Sequence, residues 1–270
     1  MELPRTSDEG GESIVPGVRN IVAVASAKGG VGKSTVAMNL AIGMARRGLR
    51  VGLLDADIYG PSVQLMVGVR SQPELTDHDR LVPIVAYGVS MMSMGFLADE
   101  STPVVWRGPL LAQAVQQFLR QVEWGDLDIL LVDMPPGTGD IALTLSQVIS
   151  LSGALIVTTP QDVALEDVER GVAMFEKVEV DVLGLVENMS YYVCPHCEER
   201  HEIFGNGGGR ALAAAVGTEF LGELPLDGSI RQGGDEGLPL VAAAPESALA
   251  ARFDGIIDKL AGALEQVAHS

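Results

Sequence analysis

The chain has 270 residues, about 1.8 times a ~150-residue domain, so its length fits one large domain or two small ones. At 47% apolar and 20% charged residues it is not intrinsically disordered, and a chain this long buries a core without metal or disulfide staples. Acidic residues outnumber basic ones 36 to 18, a formal charge of -18 with four lysines, Lys28, Lys33, Lys177 and Lys259; this disfavours nucleic acid and membrane surfaces, which attract clustered Lys and Arg.

Residues 1–18 are polar and acidic, with no basic start and no apolar stretch, so they read as a flexible tail and not as a secretory signal. Apolar runs at Ile21–Ala27, Val51–Asp57, Leu127–Met134, Ala154–Thr159 and Val182–Asn188 predict strands buried on both faces, hence parallel. Helical spacing over Lys33–Arg47, Leu110–Val122, Ile141–Leu151 and Val163–Val178 separates them. Shorter strands are expected at Val89–Met94 and Glu219–Leu224, and a closing helix at Pro245–Ala268. The alternation predicts an α/β fold, a doubly wound and mostly parallel sheet with helices on both faces, as one domain over 19–270. Two uncharged stretches, Leu81–Ala98 and Ile141–Gln161, are broken by proline, glycine and polar residues and do not read as membrane spans. A cytoplasmic protein is expected. In such sheets ligands sit beyond the carboxyl ends of the strands.

The first such end carries Ser26-Ala27-Lys28-Gly29-Gly30-Val31-Gly32-Lys33-Ser34-Thr35, running into a helix. Glycines let successive N–H groups curl around a phosphate, and the helix N-terminus adds partial positive charge. Lys33 is placed to reach the β- and γ-phosphates of ATP, and the Ser34 hydroxyl to ligate Mg²⁺. The strict phosphate-loop pattern has glycine where this chain has Ala27, and it does not call for Lys28. After the second strand, Asp55 and Asp57 end a buried run, where a carboxylate needs a cation or donors. After the third, Leu130-Leu131-Val132-Asp133 leads into Met134-Pro135-Pro136-Gly137-Thr138-Gly139-Asp140. Asp133 is placed to hold Mg²⁺, and Gly137, lacking a Cβ, can bring its N–H against a γ-phosphate.

Further on, Cys194-Pro195-His196-Cys197 turns two thiols the same way at metal-binding spacing. One pair is half a site, since iron–sulfur clusters and structural zinc take four ligands. A two-fold dimer doubles the pair to four. Three readings stand: an iron–sulfur cluster across the dimer, zinc at the same place with help from His196 or His201, and a redox pair or surface thiols. The position after a late strand, away from a helix N-terminus, disfavours the redox reading.

The run Lys28-Gly29-Gly30-Val31-Gly32-Lys33-Ser34 resembles the deviant phosphate loop of the ATPases that include the nitrogenase iron protein, the Min and Par positioning ATPases and the Mrp-type carriers. Asp133 to Asp140, Asn188 to Cys197, Ile203 to Gly209 and Leu221 to Asp227 resemble the Mrp/ApbC-type iron–sulfur cluster carriers in particular. That resemblance implies a homodimer in which Lys28 reaches the partner's nucleotide and Asp57 positions the attacking water. It also implies that Asn188 contacts adenine, and that Cys194 and Cys197 of two chains hold a 4Fe-4S cluster delivered to apo-proteins from an upstream scaffold. Neither the small acidic domain that precedes some members nor an N-terminal cysteine cluster is found, so a stand-alone prokaryotic carrier is expected. A Min- or Par-like positioning ATPase is the alternative, and it calls for a basic tail; Pro245–Ser270 instead sets Arg252 and Lys259 against Glu246, Asp254, Asp258 and Glu265. An ATP switch with a zinc-bridged dimer is the other.

Overall fold

The computed structural model describes residues 1–4, 15–57, 60–96, 108–138 and 140–269. Ile58, Tyr59 and Gly139 of the motifs above, and residues 5–14 of the expected tail, lie outside them.

Continuous Val/Ile/Leu runs cannot present a wet face, so they pair in the middle of a sheet covered on both sides. Among the described residues that sheet holds eight strands: β1 (Ile21–Ala25), β2 (Val51–Asp55), β3 (Ile84–Ala86), β4 (Val89–Ser93), β5 (Ile129–Asp133), β6 (Gly153–Thr158), β7 (Val182–Glu187) and β10 (Phe220–Glu223). Their spatial order is β10-β7-β6-β1-β5-β2-β4-β3. All neighbours are parallel except β3, which turns back antiparallel on β4. Every residue of β1, β2, β5 and β6 is buried. Two short strands outside the sheet, β8 (Tyr192–Val193) and β9 (Arg200–His201), form an antiparallel hairpin.

The helices are α1 (Lys33–Arg46), α2 (Val63–Met66), α3 (Gly108–Gln121), α4 (Asp140–Val148), α5 (Asp162–Lys177), α6 (Gly208–Ala215), α7 (Gly228–Glu236), α8 (Leu240–Ala243) and α9 (Ala248–Ala268). α1 packs with α8 and α9, while α3, α4, α5 and α6 contact one another in chain order, giving two helical layers around the sheet. The doubly wound α/β fold expected from the alternation is therefore what the chain adopts. α9 begins after Ser247, whose hydroxyl accepts from Ala250 N at 3.1 Å, and so starts later than the apolar pattern from Pro245 suggested. α1 lies so close to α9 that a Cβ on Gly43 would sit 2.6 Å from Ile257 Cδ1. Within the segment read as a flexible tail, Leu3 and Val15 are buried against the core, and Asn20 Nδ2 donates to the Pro4 carbonyl at 2.7 Å. No helix among the described residues is long and apolar enough to cross a membrane.

Strand order reverses at β1, with β5 and β2 on one side and β6 and β7 on the other. The crevice of a doubly wound sheet opens at that reversal, just beyond the carboxyl ends.

Candidate functional site

The loop between β1 and α1 sits in that crevice. Gly30 and Gly32 both have φ +81°, a left-handed conformation that L side chains resist, and they curl the loop back before the helix. Gly32 occupies the N-cap of α1 without a side-chain cap, so the first N–H groups of the helix stay open to an anion. A cavity of about 300 Å³ is lined by the loop from Gly29 to Thr35 and faced by Asp57 and Pro136. Gly29, Gly30, Val31, Gly32, Lys33, Ser34, Thr35 and Asp57, predicted as separate motif members, thus line one space.

Lys33 is 6% exposed and forms an ion pair with Asp133, which is fully buried at the end of β5. Lys33 Nζ also lies 3.4 Å from Ser34 Oγ. The second Asp133 oxygen, Oδ2, is buried with no hydrogen-bond partner among the described residues. A carboxylate oxygen left unsatisfied in the interior is costly, and because Lys33 Nζ reaches both Asp133 and Ser34 Oγ, a cation suits the place they share. Ser34 and Asp133 therefore fit Mg²⁺, and Lys33 fits the phosphate charge.

Asp55 lies beside Asp133 in the β2–β5 register. Burial, then the neighbouring Asp133 charge, pushes its carboxyl up to about 7 against the pull of three backbone N–H donors. Those donors are Asp57 N at 3.1 Å, Ser62 N at 3.0 Å and Val63 N at 3.2 Å, and Ser93 Oγ adds a fourth bond at 3.0 Å. Asp55 thus organises the loop that carries Asp57. Asp57 is half-buried, and its Oδ1 accepts from Gly60 N at 3.2 Å.

Two predicted nucleotide contacts are engaged inside the protein. Gly137, at φ +98°, donates its N–H to Ser26 O at 2.8 Å, tying the loop after β5 to the phosphate loop. Asn188, at the end of β7, donates Nδ2 to Val31 O at 2.8 Å. Its amide presses on Gly32, where a Cβ would collide with Nδ2. Lys28 is half-buried and donates to Gln161 Oε1 at 3.3 Å, a partner the sequence pattern did not single out. Asp227 caps α7, accepting from Ser229 N at 2.8 Å.

The cysteines close the β8–β9 hairpin. Cys194 N donates to Glu199 O at 3.0 Å and Glu198 N donates to Cys194 O at 2.8 Å, which forms a tight knuckle. Cys194 is half-buried and Cys197 exposed, both as free thiols. The backbone N–H groups of His196 and Cys197, and the Cys197 side chain, hydrogen-bond Cys194 and hold its thiol below the ordinary value. Arg200 stacks on the Tyr191 ring at 3.9 Å and ion-pairs with Glu223 at 3.0 Å, while Arg252 of α9 approaches the same ring at 5.3 Å. These contacts fasten the hairpin root to β10 and α9. His201 and Glu199 come close to Cys197, within 4.8 Å for all ligand atoms; His196 is not part of that group. Glu199 has no sequence signal of its own, because only the hairpin turn brings it there.

An open helix N-terminus, a lysine paired with a buried aspartate and a glycine-rich loop at the sheet's switch point define a nucleotide-binding P-loop NTPase. The family model described as "ParA: NUBPL iron-transfer P-loop NTPase" matches residues 17–261, and the chain belongs to that family. It is 50% identical over 252 residues to the "Iron-sulfur protein required for NADH dehydrogenase, mitochondrial" of Arabidopsis thaliana, covering 93% of this chain and 80% of the relative. It is 54% identical to an "Iron-sulfur cluster carrier protein" of Pseudomonas fragi, over 87% of this chain and 84% of that one. A nucleotide-binding protein of Archaeoglobus fulgidus, solved in complex with ADP and with cobalt, superposes with a TM-score of 0.73 at 41% identity, covering 82% of this chain and 87% of that one. The cell division ATPase MinD of Pyrococcus furiosus, at TM-score 0.66 and 24% identity over 89% of this chain and 98% of that one, shares the fold.

Proposed function

We propose that this chain is an ATP-binding and ATP-hydrolysing carrier that takes an iron–sulfur cluster as cargo between two copies of itself and transfers it to apo-proteins. Its relatives, an iron–sulfur protein of Arabidopsis thaliana and an iron–sulfur cluster carrier of Pseudomonas fragi, support the cargo, and the ADP complex of the archaeal neighbour supports the nucleotide.

In this reading Lys33 leaves Asp133 for the β- and γ-phosphates, which the open N–H groups of the loop from Gly29 to Thr35 also hold. Ser34 Oγ and Asp133 Oδ2 would hold Mg²⁺, which would supply positive charge against the phosphoryl group being transferred. Asp57, facing the cavity, orients the attacking water. Lys28 exchanges Gln161 for the partner's nucleotide. Cys194 and Cys197 from each of two chains supply the four thiolates that a 4Fe-4S cargo takes.

The observation that carries the coupling is Asn188. Its amide is bonded to the phosphate loop, and the same short segment continues through Tyr191 into the Cys194 knuckle. A change in the loop on nucleotide binding is thereby felt at the thiols. Anaerobic reconstitution with iron and sulfide tests the cargo: the wild type is expected to give a brown dimer with about four irons, and the Cys194→Ala/Cys197→Ala variant to give none. Colourless wild-type protein, or iron indifferent to the cysteines, refutes the reading. If cluster transfer to an acceptor runs equally fast in Lys33→Ala, the coupling to ATP is wrong.

A further inference from the structure

We propose that the β8–β9 hairpin also carries, within a single chain, a site for one divalent d-block cation, Zn²⁺ or Fe²⁺, made by Cys197, Glu199 and His201 and completed by Cys194. This inference does not rest on the cluster reading, because it needs no second chain and uses two residues that a cluster held by four thiolates leaves aside.

The hairpin geometry builds the site. Residues two apart on a strand share a face, so Glu199 and His201 project to the same side of the β9 segment. Val193 is paired with Arg200, and Cys194 N donates to Glu199 O, which puts Cys194 opposite Glu199. Directly opposed residues of an antiparallel pair also share a face. The knuckle then folds Cys197 over that face. Its sulfur, a Glu199 oxygen and a His201 nitrogen all lie within 4.8 Å of one another. Cys194 begins the same knuckle opposite Glu199 but lies outside that group of three, and it joins them as fourth donor by turning its side chain.

Size and donor type favour a small borderline cation. With metal–sulfur bonds of about 2.3 Å and metal–nitrogen or –oxygen bonds of about 2.0 Å, tetrahedral ligand atoms sit about 3.3–3.8 Å apart. For the exposed side chains of Cys197, Glu199 and His201, closing from a spacing of up to 4.8 Å takes about 1–1.5 Å of movement between free rotamers. Two thiolates, an imidazole and a carboxylate suit Zn²⁺ or Fe²⁺ and are poor ligands for the hard cations Mg²⁺ and Ca²⁺. Arg200, held between Tyr191 and Glu223, fixes the strand between the two ligands Glu199 and His201. Since this ion and a bridging cluster would share Cys194 and Cys197, the two occupants exclude each other. The single chain then keeps its thiolates covered when no cluster is present.

The test is a Zn²⁺ titration of the full-length metal-free chain without sulfide, in competition with a chromophoric chelator, with stoichiometry read by native mass spectrometry. One ion per monomer is expected. His201→Ala and Glu199→Gln should each weaken binding at least about tenfold, since even partners behind a metal ligand cost 10–100-fold. Co²⁺ in place of Zn²⁺ should give a thiolate charge-transfer band that Cys197→Ala diminishes, and visible bands that His201→Ala moves. Metal-free variants should melt with the wild type, because both ligands are exposed. Half an ion per chain, or one ion whose affinity ignores both His201 and Glu199, overturns the proposal. The cluster reading is judged apart from this: reconstitution with iron and sulfide should remain at wild-type level in His201→Ala and Glu199→Gln.

Discussion

Asp55 shows how much of the loop that carries Asp57 hangs on one side chain. Its carboxyl takes four hydrogen bonds and lies beside Asp133, and its affinity for a proton rises from an ordinary 3.8 to about 7. A folded-state value above the unfolded one means that the native chain binds more protons between pH about 4 and 7. Stability contributed by that proton is full below the lower value and is lost as pH rises through the upper one. The nucleotide-free wild type should therefore lose urea stability from pH 5 to pH 8, and Asp55→Asn should lose less over the same interval. Equal slopes in the two proteins would assign the effect elsewhere. Asn188 acts locally in a different way. Removing its amide leaves the Val31 carbonyl without that buried donor, so Asn188→Ala should cost about 1–3 kcal/mol in denaturant unfolding. The sequence marked Asn188 as a nucleotide contact and could not show this bond, because nothing local in the chain links residues 31 and 188.

Among the elements, the long strands and the shorter β4 and β10 were legible, and β3, β8 and β9 were not. β1, β2, β5, β6 and β7 are runs of branched aliphatic residues that no amphipathic helix could bury, so composition alone identified them. β8 and β9 have two residues each, too few to show any period, and their pairing follows from the Cys194 knuckle. For the same reason Cys194 and Cys197 were readable as a motif, while Glu199 and His201 join Cys197 only through hairpin register. The hairpin's attachment is tertiary too, through Arg200 on Tyr191 and Glu223. Arg200→Ala removes both the ring stacking and the ion pair, each worth about 0.5–1 kcal/mol at a half-exposed position. Hydrogen exchange of the Cys194 and Val193 amides should then speed up several-fold, with little change in global unfolding. Unchanged exchange would mean that the Ser190 N to Leu224 O and Leu226 N to Tyr191 O bonds suffice to hold the hairpin root.

At the scale of the molecule the parallel sheet brings the phosphate loop and the segment leading to the cysteine hairpin to the same carboxyl edge. β1 and β5 end at the phosphate loop and Asp133, and β7 ends at Asn188 and then the cysteine hairpin. Lys28 stands at the mouth of the loop, and its ammonium is tied to the neutral amide of Gln161, the residue before α5, by one long hydrogen bond of 3.3 Å. A bond from a charged donor to a neutral amide is worth at most about 1.5–3 kcal/mol net, less at this length, and a partner's phosphate, charged itself, would compete with it for the same ammonium. On the proposed reading Lys28 would change partners when two ATP-loaded chains meet, while Lys33 would serve its own chain's phosphates. Lys28→Ala should bind ATP within about threefold of the wild type, because the loop N–H groups and Lys33 remain. In light scattering with Mg-ATP the wild type should move toward a dimer, and Lys28→Ala should stay monomeric and hydrolyse ATP more slowly by at least about tenfold. If Lys28→Ala instead dimerises and hydrolyses like the wild type, Lys28 serves only the Gln161 contact seen within one chain.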